Sequence, residues 1–148
     1  MPFDARELFA RVIQCEAGGE GDDGMRGVAT VIMNRTNIPY GEFARVSNGG
    51  NLRAIIAQPG QFNCMRDTLA GRYNSQNVWN MDPQEIHYEI ADWAISGGIL
   101  GGVDNSLFFY NPYSPTCAAY FPPGGVGVLH NRINQHCFYA PTERYRNT

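Results

Sequence analysis

The sequence contains no lysine: all 11 basic residues are arginine, set against 14 acidic ones, for a net charge of −3 at pH 7. That balance excludes the basic footprint of a nucleic-acid binder and of a protein drawn to an anionic membrane. The arginine fork suits carboxylates and polar rings instead. No run of about 20 apolar residues occurs, so no membrane-spanning helix is expected. "MPFDARELF" lacks a basic stretch followed by an apolar one, so no classical signal peptide is visible. No two cysteines stand as C-x-x-C, which argues against a zinc ribbon. Cys15, Cys64, Cys117 and Cys137 are the only four, too sparse for a disulfide-dependent scaffold. They allow two disulfides in any of about three connectivities. Repeats and low-complexity linkers are also missing, so one domain over residues 1–148 is expected.

What is present describes a globular chain: 43% hydrophobic and 17% charged residues, in a length sufficient for a real core. "DARELFARVIQCEA" reads as a helix, with Asp4 as N-cap and Glu7 in the capping-box position. Leu8, Phe9, Val12 and Ile13 span an arc of roughly 140° at about 100° per residue. Glu16 falls near the middle of that arc, not on the solvent face, and Gly18-Gly19 stop the helix. "DDGMRGVATVIMNR" is a second, apolar and therefore central helix, capped by Asp22 or Asp23. "TNIPYGEFARVSNGGN" is punctuated as a loop, and "LRAIIAQPGQF" as a short helix closed by "QPG". "LAGRYNSQNVWNM" is polar and has no clear period. "DPQEIHYEIADWAISGG" is the clearest helix, with Asp82 at N-cap, Pro83 at N1 and a Gly97-Gly98 stop. Short strands follow in "SLFFYNP", "PTCAAYF" and "QHCFYAP", the last two separated by "PPGGVGV". Helices first and strands last imply an α+β fold with a small antiparallel sheet.

Burial of Glu16 has a chemical consequence. Desolvation raises a carboxyl pKa, and a carboxylic acid kept protonated near neutrality is what a glycosidase needs to protonate a leaving oxygen. The bland alternative turns Glu16 to solvent or onto an arginine. Glu20 is the natural second carboxylate, though the glycines interrupt the helix between them. With Asp22 and Asp23 it forms an acidic cluster where Ca²⁺ could be sought, without EF-hand spacing; no other cofactor or metal is implied. The aromatic residues and Asn111 near strand ends suit a groove whose rings pack on sugars and whose amides bond hydroxyl and acetamido groups. Thiol catalysis is the competing chemistry, since cysteines coexist with His87, His130 and His136. Cys137 and His136, as strand neighbours, point to opposite faces and cannot form such a pair.

Taken together, "CEAGGEGDDGMRGVATVIMNR", "AQPGQF", "FFYNP" and "HCFYAPT" resemble the SleB/CwlJ spore cortex-lytic family of cell-wall hydrolases, in the family's order over roughly residues 5 to 142. The length and the C-terminal motif look like the CwlJ type. The resemblance implies a lysozyme-like α+β domain that attacks peptidoglycan glycan strands of the spore cortex during germination. It implies Glu16, the first glutamate of E-A-x-G-E, as the essential acid, and Glu20 as a supporting residue. Asn34, Gln58, Phe62, Tyr110, Asn111 and His136 fall on its groove motifs. It also implies a spore-coat location without a signal peptide, a coat-protein partner, and a link to calcium. Bonds Cys15–Cys64 and Cys117–Cys137 are conceivable. With no second carboxylate well placed, lytic transglycosylase chemistry is expected. Muramidase-type hydrolysis by the same acid, a non-catalytic glycan-binding coat protein, and a lysin acting on vegetative wall are the alternatives.

Overall fold

A computed structural model describes residues 2–148. Helix α1 runs Ala5–Ala17 and begins as the sequence indicates, with the Glu7 amide donating to the Asp4 carboxylate. The second half of the capping box is not made, because Glu7 pairs with Arg11 one turn on. The apolar arc is real: Leu8, Phe9, Val12 and Ile13 are all fully buried. Helix α2 spans Gly21–Asn37 and is central, with Val28, Ala29, Val31 and Ile32 fully buried. Each of the branched side chains Val28, Val31 and Ile32 contributes roughly 1.5–3 kcal/mol by leaving water. Its N-cap is Glu20, not Asp22 or Asp23; Asp22 instead pairs with Arg26 on the next turn.

The segment expected as loop contains a helix, α3, Gly41–Ser47. Phe43 drives it inward, against the rings of Phe108 and Tyr145. Helix α4, Leu52–Ala57, is capped by the Asn51 side chain, which accepts from the Ala54 amide. The aperiodic middle resolves into a small hairpin, β1 Thr68–Leu69 with β2 Arg72–Tyr73. Helix α5, Glu85–Ile95, starts later than Asp82 because Gln84 and His87 form the capping box. It packs on α1 and α2, and the fork of Arg6 on Asp92 (2.7 and 2.9 Å) ties it to α1 at the surface.

The C-terminal sheet has the order β3-β5-β4, antiparallel throughout, from β3 Phe108–Tyr110, β4 Gly127–Ile133 and β5 His136–Pro141. "PTCAAYF" is not a strand; it contributes only an isolated bridge from Tyr120 to Val128. The strand lies instead in "GVLHNRI". A short helix α6, Glu143–Arg146, buries Tyr145, whose hydroxyl donates to the Tyr40 carbonyl at 2.8 Å. The fold is α+β, as expected. Among the described residues no helix is long and apolar enough to cross a membrane.

Candidate active site

A cleft of about 880 Å³ opens where the end of α1, the α4–β1 connection and the sheet meet. Glu16 leaves α1 on its buried arc, one turn beyond Val12 and Ile13, and its carboxyl lines this cleft. Among the described residues no hydrogen bond holds that carboxyl, and its pKa is raised from the ordinary 4.5 to about 7. Burial is the cause; the Arg35 guanidinium opposes it and is the weaker influence. The result is an acid that keeps its proton near neutrality and spends none of its bonding capacity inside the protein.

Arg35 lies beneath the cleft, only 4% exposed. It donates to the Leu107 carbonyl (2.7 Å) and to Gln61 Oε1 (3.2 Å), and stacks over the rings of Phe43 and Phe62. Burial lowers its pKa to about 10, so it remains charged at neutral pH. A desolvated guanidinium here stabilises the carboxylate that Glu16 becomes after giving up its proton.

Glu20 also lines the cleft, but its carboxylate is committed. Oε1 accepts from the Gln135 amide at 3.0 Å and stands 3.1 Å from His136 Nδ1, off the line of a hydrogen bond. The Glu20 carbonyl accepts from Asn134 at 2.6 Å. These contacts fasten the α1–α2 junction to the β4–β5 turn. His136 is buried against Phe109 and Phe138, and desolvation lowers its pKa.

Of the residues expected at the site, Glu16, Glu20, Phe62, Tyr110, Asn111 and His136 line the cleft. Phe62 does so as floor, 3% exposed. Asn34 and Gln58 do not line it. Asn34 donates to the carbonyls of Asp104 and Ser106 and borders a smaller hollow of about 260 Å³. Gln58 spends its amide on Glu42 at 2.6 Å. Both hold the frame. Arg35, Gln61, Asn63 and Tyr113 are cleft residues that were not anticipated as such. Gln61 adjoins Phe62 in "AQPGQF", a signal that was available; Arg35 is placed by a carbonyl 72 residues away, which no local pattern shows. Two disulfides form, Cys15–Cys64 and Cys117–Cys137, leaving no free cysteine among the described residues. Thiol catalysis therefore has no nucleophile. Within the acidic cluster Asp22 pairs with Arg26 and Glu20 turns to His136, and no metal-ligand grouping of three or more side chains occurs among the described residues.

Fold and cleft together define a class, a lysozyme-like α+β domain presenting one unbonded acid in an open groove. Within it, the chain belongs to the Cell Wall Hydrolase family, whose profile matches residues 19–139. The match begins just after Glu16. The chain is similar to cell wall hydrolase CwlJ of Halalkalibacterium halodurans, at 27% identity over 92% of this chain and 85% of that protein. It is similar also to CwlJ of Oceanobacillus iheyensis, at 29% over 92% and 86%. Its fold is like the crystal structure of the catalytic domain of Bacillus cereus SleB, with a TM-score of 0.65 and 23% identity over 91% and 88% of the two chains. It is like the catalytic domain of the germination-specific lytic transglycosylase SleB from Bacillus anthracis, with a TM-score of 0.63 and 22% identity over 94% and 96%.

Proposed function

We propose that this protein cleaves the glycan strands of spore-cortex peptidoglycan during germination, by lytic transglycosylase chemistry, with residues 1–148 acting as one catalytic domain. The observation that carries the reading is Glu16, an unbonded cleft carboxyl that holds its proton to about pH 7. Family membership supports the substrate, and the names of the relatives support the setting.

The Glu16 carboxyl protonates the bridging oxygen as the bond from muramoyl C1 to that oxygen breaks. Positive charge develops on the ring and is met by the new carboxylate. The same carboxylate then takes the proton from the substrate's own C6 hydroxyl as the C6 oxygen closes onto C1. A 1,6-anhydro end results, and Glu16 regains its proton. Direct hydrolysis needs a second carboxylate free to activate water. Glu20 is the other carboxylate lining the cleft, and its bonds to Gln135 and the nearness of His136 occupy it. In this reading the partners are glycan strands and a coat protein that localises the enzyme, at the coat–cortex boundary, and no step uses a cofactor.

Mass spectrometry of fragments released from purified cortex tests it, with wild type run beside Glu16→Gln. Anhydro-ended fragments are expected from wild type and none from the variant. Reducing ends would overturn transglycosylation in favour of hydrolysis; full activity in Glu16→Gln would remove Glu16 from the chemistry.

A further inference from the structure

We infer that Tyr113 is a sugar-stacking platform, presented on a braced loop, that takes the face of an N-acetylated amino-sugar ring at the rim of the cleft. This rests on the glycan-cleaving reading above. Tyr113 lines the cleft while remaining 89% exposed as a residue. Tyr110, Phe109 and Phe121, which line the same cleft, each pack against other aromatic rings, and among the described residues Tyr113 has no such partner. A large apolar ring face is thus held in water beside a glycan-sized groove.

The backbone makes that exposure a built feature. Tyr113 has φ +51°, in the left-handed region, which costs a residue with a Cβ roughly 1 kcal/mol or more. Such a conformation persists only where its surroundings impose it. Here they do so from several directions. The Tyr113 amide donates to Asn111 Oδ1 at 2.8 Å, closing an Asx turn across Pro112. Arg132 of β4 donates to the Ser114 carbonyl at 2.9 Å. The Tyr139 hydroxyl of β5 donates to the Ala118 carbonyl at 2.7 Å. The Cys117–Cys137 disulfide ties the same loop to β5.

The remaining cleft wall fixes the ligand class. The Gln61 side chain accepts from Arg35 through Oε1 and among the described residues donates to none, so its amide N–H groups are available, and the exposed Asn63 lines the same cleft. A ring face and amide donors and acceptors lining one cleft match a pyranose bearing an acetamido group. Asn111, expected to touch substrate, lines the cleft and also positions Tyr113 through its side-chain carbonyl oxygen.

The test is made in the Glu16→Gln background, where binding is read without cleavage. The probe is a peptide-free tetrasaccharide of alternating N-acetylglucosamine and N-acetylmuramic acid, titrated by calorimetry. Adding Tyr113→Ala is expected to weaken binding roughly five- to tenfold, and Tyr113→Phe to keep it within about twofold. The thermal midpoint should not move, because the side chain is exposed. Equal affinity for the alanine and parent proteins overturns the platform alone. Loss with phenylalanine as large as with alanine overturns stacking in favour of a hydroxyl contact. If the folded parent binds no tetrasaccharide, the glycan reading of the cleft falls and the platform falls with it.

Discussion

Glu16 keeps its proton to about pH 7 because folding carries it out of water. That has a cost in stability whose sign can be worked through. In the unfolded chain the group ionises near 4.5, and in the folded protein near 7. Between those values the unfolded state has lost a proton that the folded state retains. Stability therefore falls as pH rises from 4.5 to 7 and levels off above it, by at most about 3 kcal/mol. Glutamine has the same shape and no charge to desolvate. Glu16→Gln should therefore stabilise the protein by about 3 kcal/mol at pH 8 and by nothing measurable at pH 4. Urea denaturation at the two pH values reads this directly. A variant equal to wild type at pH 8 would mean that the carboxylate is well solvated in the open cleft. In the proposed reaction the same ionisation sets the rate: the acid must be protonated to serve the leaving oxygen, so kcat/KM should fall above about pH 7, tenfold per pH unit.

Helix α2 reaches the sheet through a glycine. A Cβ on Gly27 would stand 2.8 Å from Phe138 Cζ and 3.3 Å from Val103 Cγ2. Phe138 is fully buried and packed beside Phe109 and His136, so its ring has nowhere to go. Alanine gains about 1 kcal/mol of helix propensity over glycine, while overpacking costs about 1–3 kcal/mol. The clash wins: Gly27→Ala should lose about 1 kcal/mol and Gly27→Val about 3, measured by urea unfolding. An alanine variant more stable than wild type would show that the helix–sheet interface can shift. At this scale the sequence was readable where a long apolar period runs, as in α1, α2 and α5, although only the cap of α1 stands where the sequence put it. It was unreadable where tertiary contacts decide. Strand β4 is an edge strand whose residues from Val128 to Asn131 are all exposed, so it carries no alternation to detect. Helix α3 is seven residues long between glycines and depends on Phe43 meeting Phe108 and Tyr145 from the far end of the chain. The placement of Glu16 in the cleft was legible because it rides on the arc of α1. The platform and the buried Arg35 were not, since both are set by partners distant in sequence.

The molecule as a whole is stapled in two places, one in the helical body and one in the sheet. Cys15–Cys64 joins the end of α1 to the turn after α4 and closes 49 residues; Cys117–Cys137 closes 20. Chain entropy assigns about 4 kcal/mol to the first and about 3 to the second. Total stability for a chain of this size is of order 5–15 kcal/mol, so either bond is a large share, yet the buried faces of α1, α2 and α5 form a core beyond Cys15 and Cys64. Removing Cys15–Cys64 by a double alanine variant should thus leave a folded protein whose thermal midpoint drops by roughly 8–15 °C. Removing Cys117–Cys137 should cost less. The consequences for activity separate further. Cys15 precedes Glu16, and both Cys15 and Cys64 line the cleft, so losing their bond loosens the helix end that aims the acid. That variant should lose kcat even at temperatures where it is fully folded. Losing Cys117–Cys137 loosens the rim loop instead and should raise KM. Calorimetry together with kinetics at 25 °C on the two variants would decide it. If the sheet staple costs more stability than the helical one, loop length is not what governs these bonds. If both variants change only KM, the bond beside Glu16 does not hold the acid in place.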